Sequence, residues 1–142
     1  KMGFETTFSS DWKHYQETFL SIVSETCFDD SSIYFSEKTI KPLLHMHPFI
    51  MMSTPYTLQK LNELGFKSFD GFIDESYDRE EQTKARFQMI LREIDKFNDK
   101  SFEELKNWWT DILPILEHNQ KRLLELGKQK TEKIKLLEKM ND

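Results

Sequence analysis

The stretch IYFSEKTIKPLLHMHPFIMMSTP, residues 33–55, decides the fold. Its second half, PFIMMST (48–54), is almost wholly apolar, as a strand covered on both faces by helices must be. Its first half holds a helix start, and two positions compete for it. Ser36 as the cap would bury Pro42 in the hydrogen-bonded body of the helix, at a cost of about 3 kcal/mol. Thr39 as the cap places Pro42 in the first turn, where a missing N–H does no harm. The pattern therefore predicts a cap at Thr39, or an irregular turn between the two.

Upstream, LSIVSETCF (20–28) reads as a first strand, DDSS (29–32) as a loop, and DWKHYQETF (11–19) as a helix carrying Trp12, Tyr15 and Phe19 on one stripe. Downstream, Thr54 is a natural N-cap and Pro55 a natural first helical residue. Leu58, Leu61 and Leu64 continue that helix, Gly65 ends it, and FKSF (66–69) reads as a third strand. FETTF (4–8) is expected to add an antiparallel edge strand. Strand–helix–strand–helix–strand is the order of a parallel βαβαβ unit.

Past residue 80 helical spacing dominates. Asp78 with Glu81 resembles a capping box, and Phe87, Ile90, Leu91, Ile94 and Phe97 supply a buried face. Ser101 caps the next helix, in which Pro114 predicts a kink or a break. The expected fold is thus α/β: a small, mainly parallel sheet of three or four strands, helices on its faces, and an all-helical C-terminal third. One domain spans 1–142, with a core at 1–78, covering helices at 79–126 and a Lys/Glu-rich helical tail at 127–142.

A net charge of −5 argues against a nucleic-acid partner, which needs a basic face. One cysteine, Cys27, excludes an internal disulfide framework and suits a reducing compartment. No apolar run has transmembrane length and no signal-peptide pattern is present, so a cytoplasmic protein without a membrane partner is expected. The start at Lys1 leaves open whether the chain is a fragment whose true start is missing.

The chemistry concentrates at residues 36–39. Unpaired amides of a helix start lie there, close to the carboxyl end of a strand, where open α/β sheets hold ligands and helix N-termini receive phosphates. Lys38 supplies a cation, and the Glu37 carboxylate suits the paired hydroxyls of a ribose. The plainer alternative is a pair of solvated first-turn charges. His45 and His47 lie two apart and do not share a helical face; a metal there would need Asp29 or Asp30 as a third ligand. No bound zinc and no cofactor are expected. Asp74, Glu75 and Asp78 read as capping residues rather than a cation site.

SIVSETCFDDSSIYFSEKTIKPLLHMHPFIMM, residues 21–52, resembles the donor-binding half of fucosyltransferase-like glycosyltransferases built from two Rossmann domains. Ser36-Glu37-Lys38 matches that family's Thr-Glu-Lys segment, and Glu25 matches its preceding strand. The run on to LGFKSFDGFIDESYD (64–78) is similar to open reading frames of marine phages and marine metagenomes. The resemblance implies a Rossmann-like sheet and a nucleotide-sugar-binding C-terminal domain, with a nucleotide sugar as substrate. Glu37 would hold the donor ribose, Lys38 would lie by the diphosphate, and Glu25 would line the same pocket, with Ser36 and Thr39 completing the ligand-binding set. It implies glycosyl transfer by electrostatic stabilisation of the leaving diphosphate. The acceptor and catalytic base belong to an N-terminal domain absent from these residues, so no catalytic residue is assigned and the domain alone is expected to be inactive. The rival is a non-catalytic association module, a homodimer through residues 102–137 of the helical C-terminal region.

Overall fold

A computed structural model describes residues 12–28 and 32–140, with side chains at 13–28 and 32–134. The elements are α1 (Trp12–Glu17), β1 (Ser21–Ser24), α2 (Glu37–Leu44), β2 (Phe49–Met52), α3 (Thr57–Glu63), a 3₁₀ turn (Glu75–Arg79), α4 (Thr83–Asn98) and α5 (Phe102–Met140). β1 and β2 pair in parallel, from Ser21 opposite Phe49 to Ser24 opposite Met52, with α2 as the crossover. The protein is therefore a mixed α/β fold with a mostly helical C-terminal region.

Burial follows from which faces are covered. Phe49, Ile50 and Met51 are all buried, so β2 carries helices and connecting chain on both sides. β1 alternates instead: Val23 and Glu25 turn inward, while Ile22 and Ser24 are exposed at the rim of the sheet. Ile90 of α4 and Ile112 and Leu116 of α5 close the core, and the Phe49 ring meets Phe69 edge-on at 5.3 Å.

Among the described residues the sheet has two strands. Residues 66–69, expected as a third, form none; an isolated bridge joins Asp70 to Ile73. Side chains have taken the backbone groups that a third ladder would use. The buried Asn119 amide accepts from Lys67 N at 2.7 Å and donates to Lys67 O at 2.9 Å. Phe69 N donates to Glu75 at 3.0 Å. On the far side of β2, Met51 N donates to the Tyr77 hydroxyl at 3.2 Å, so the 3₁₀ turn covers that edge. The proposed edge strand at 4–8 and the loop acids Asp29 and Asp30 lie outside the described residues.

Several helix ends differ from the sequence pattern. α2 is capped by Ser36, whose hydroxyl accepts from Lys38 N at 3.2 Å, and Pro42 lies inside the helix. The cost falls on the carbonyl of Lys38, an exposed residue that water can reach. Thr54 and Pro55 sit in a turn rather than at a helix start. Tyr56 follows in a left-handed conformation (φ 64°), and α3 is capped from a distance by Asp78. Having spent its carboxylate there, Asp78 does not start α4, which begins at Thr83. The buried face of α4 is Arg86, Ile90 and Glu93, whereas Phe87 and Leu91 are each 41% exposed. Ser101 does cap α5 as expected, and Glu104 answers it to complete a capping box. α5 then runs unbroken through the exposed Pro114.

One face of α5 finishes the other helices. Gln120 donates to Leu44 O at 2.7 Å at the end of α2, and Arg122 donates to Leu64 O at 2.7 Å just past α3. Gly65 has φ 91°, a left-handed conformation that favours glycine, and a Cβ there would lie 2.7 Å from Arg122 Nε and displace that side chain from Leu64 O.

Candidate functional site

The carboxyl end of β1 leads into Glu25, which is 5% exposed. Its N–H donates to Met52 O at 3.1 Å, extending the ladder by one bond. Its carboxylate turns to the start of α2: Oε1 accepts from Ser36 N at 3.0 Å and from the Thr39 hydroxyl at 2.5 Å. Burial alone would push this carboxyl upward. The bonds from Ser36 and Thr39 and the nearby Lys38 charge outweigh it and hold Glu25 below the ordinary glutamate range.

That arrangement divides the expected site residues into two groups. Glu25, Ser36 and Thr39 bind one another and form a buried base. Glu37 and Lys38 are exposed above it. Thr39 N donates to Ser36 O and Lys38 N to the Ser36 hydroxyl. The Glu37 amide is the first-turn N–H for which no described group is an acceptor. Ile22 and Ser24 of β1 and Glu37, Lys38 and Lys41 of α2 line an open groove of about 540 Å³ along the rim of the sheet. A helix N-terminus, a lysine and a carboxylate beside a strand end can accept a phosphate and a diol.

The helix start after β2 is closed. Asp78 accepts from Leu58 N at 2.8 Å and from Gln59 N at 3.0 Å, occupying the amides at the start of α3 with a protein carboxylate. Burial nonetheless raises the Asp78 pKa, against the pull of those amides. Next to it, Glu75 is pushed up to about 7 by burial, with Asp70 and Asp78 adding like charge and the Phe69 amide opposing. Asp70, Asp74, Glu75 and Asp78 line a polar hollow of about 400 Å³.

The histidines lie at the opposite, amino end of the strands. His47 is 3% exposed, with Nε2 2.9 Å from Thr18 O and Nδ1 2.9 Å from the Ser21 hydroxyl. A carbonyl only accepts, so Nε2 carries the proton and Nδ1 accepts from Ser21. Burial lowers the His47 pKa and keeps this neutral form. Tyr15 stacks on His45 at 4.7 Å and meets His47 edge-on at 5.2 Å. His47 thus joins α1 to both strands, and both its nitrogens are spent. Among the described residues no group of three or more His, Cys, Asp or Glu side chains is placed to hold a metal ion. No helix of the described residues is long and apolar enough to cross a membrane.

Sequence reasoning missed three residues that shape the strand ends. Asp78 was assigned to the wrong helix, because the capping-box spacing to Glu81 is local and its real partners are 19 and 20 residues away. Tyr77 carried no signal at all. Arg86 interrupts the apolar stripe of α4 at a buried position, and that interruption was the available clue.

Comparison with protein-family models, with curated proteins and with solved structures gives no match.

Proposed function

We propose that the chain is a nucleotide-sugar-binding domain of a glycosyltransferase-like protein, with the donor held at the first turn of α2. The observation that carries this is the contrast at that turn: its base is fixed by Glu25, while the Glu37 amide, the Glu37 carboxylate and Lys38 remain at an open groove. Lys38 and the amide would take the diphosphate, and the Glu37 carboxylate the ribose hydroxyls. In this account β1–α2–β2 is one unit of a larger, three- or four-stranded Rossmann-like sheet, and another domain supplies the acceptor site and the catalytic base. The test is heat protection by a panel of nucleoside diphosphates and nucleotide sugars. Protection should grow with the logarithm of ligand concentration above the dissociation constant. No shift with any of them at millimolar concentration contradicts the proposal.

A second reading, association between copies of the chain, is favoured by the length of α5. This helix continues to Met140, and all its described side chains beyond Leu126 are exposed, including Ile134 at 47%. Under that reading, deleting residues 128–142 weakens a dimer without unfolding the core. A monomer by light scattering at high micromolar concentration removes it.

A further inference from the structure

We propose that Arg86 is a positioning residue for the connection between β1 and α2, clamping the carboxyl end of β1 to the start of α4. The proposal rests on the nucleotide-site reading above. Arg86 lies in the first part of α4 and is 1% exposed. Its guanidinium donates to Glu80 O at 2.8 Å, to Glu81 O at 3.3 Å and to Phe28 O. It also lies 4.5 Å over the Phe28 ring, and that ring meets Phe87 edge-on at 6.3 Å.

Burying a guanidinium is costly, and an aliphatic side chain would fill the same layer of α4 more cheaply. What the guanidinium adds is a rigid fork. These acceptors are main-chain carbonyls from two segments far apart in sequence: the run leaving β1 and the run entering α4. Phe28 is three residues beyond Glu25, whose carboxylate seats Ser36 and Thr39. The run from Glu25 to Phe28 is held at Glu25 N by Met52 O, at Cys27 O by the Ser53 hydroxyl at 3.4 Å, and at Phe28 O by Arg86. The Arg86 bond is the charge-assisted anchor, and it stands at the end of this run. If it loosens, Glu25 moves relative to Ser36, and the Glu37 amide and Lys38 turn with it. Lysine keeps the charge but has no fork, so it cannot bridge both segments in one geometry.

The experiment compares wild type, Arg86→Lys and Arg86→Met. Amide hydrogen exchange is followed at Glu25, Ser36 and Lys38, whose amides are bonded to Met52 O, the Glu25 carboxylate and the Ser36 hydroxyl, with Ile50 and Ile112 as core reporters. Binding of guanosine and uridine diphosphate is measured below all three melting temperatures. Arg86→Lys is expected to stay folded, to exchange at least tenfold faster at the three connection amides with the core reporters unchanged, and to bind the diphosphate at least tenfold more weakly. Exchange rising equally in the core, or Arg86→Lys unfolding at 25 °C, makes Arg86 an ordinary core residue and overturns the proposal. Wild-type exchange in Arg86→Lys overturns it as well, and so does unchanged affinity. If wild type binds neither diphosphate, the nucleotide reading fails, and the clamp then stands or falls on the exchange contrast alone.

Discussion

Two helices follow parallel strands in this molecule, and each has its first turn met by a carboxylate from outside the helix. At α2 the carboxylate is Glu25, which grips Ser36 and Thr39 from below and leaves the outer part of the turn open. At α3 it is Asp78, which covers the amides of Leu58 and Gln59 themselves. The same physics, an anion at the positive end of a helix, supports a turn in one case and fills it in the other. A helix start can receive an external anion only where its amides are not already taken: Asp78 takes those of α3, whereas Glu25 takes Ser36 N below α2 and leaves the Glu37 amide without a described acceptor. On that ground the proposed ligand belongs at α2 rather than at α3.

The contrast is broken most severely at Asp78. Asp78→Ala strands two amides at a buried helix start, and a loss of about 3 kcal/mol is expected in denaturant unfolding. A loss below about 1 kcal/mol means that water replaces the carboxylate easily and that α3 is not truly closed.

Glu75 sharpens the contrast through pH. Its folded pKa, about 7, lies above the unfolded value of 4.5. Its contribution is therefore fully present below pH 4.5 and is lost as pH rises through about 7. Glu75→Gln keeps an acceptor for Phe69 N and should be more stable than wild type at pH 8, by on the order of 2 kcal/mol. It should also flatten the stability profile between those pH values. An unchanged profile places Glu75 in contact with water.

Glu25 has the opposite sign. Its pKa is held below 4.5, so the stability it adds is present above that value and is lost as pH falls below it. Glu25→Gln should cost about 1 kcal/mol at pH 7 and remove this acid-side loss. The smallest effect belongs to the open rim. Glu37→Ala and Lys38→Ala should each change stability by less than about 1 kcal/mol, while sharply weakening nucleoside diphosphate binding. If Glu37→Ala unfolds the domain, Glu37 is part of the fold and the open-turn account is wrong.

Much of the core was legible in the sequence because its signals are local. The apolar run at Phe49–Met52, the Leu58–Leu61–Leu64 stripe ended by Gly65, and the Ser101 cap all read correctly from neighbouring residues. The missing third strand was not legible. Residues 66–69 have a strand-like pattern, but Asn119, 52 positions away, takes both backbone groups of Lys67. The start of α2 was misplaced for the same reason. Pro42 argued against Ser36 locally, and the decisive bond comes from Glu25, 11 residues upstream. At the site, only the resemblance set Glu25 beside Glu37 and Lys38, and Thr39 was read as a helix cap. That Glu25 and Thr39 bind each other, leaving the rim open, depends on the fold.

The most direct test follows the backbone amides of both helix starts during titration with a nucleoside diphosphate. The account predicts that the Glu37 and Lys38 amide resonances shift progressively and saturate, while those of Leu58 and Gln59 stay in place because Asp78 already occupies them. Shifts at Leu58 and Gln59 with none at Glu37 and Lys38 would contradict it.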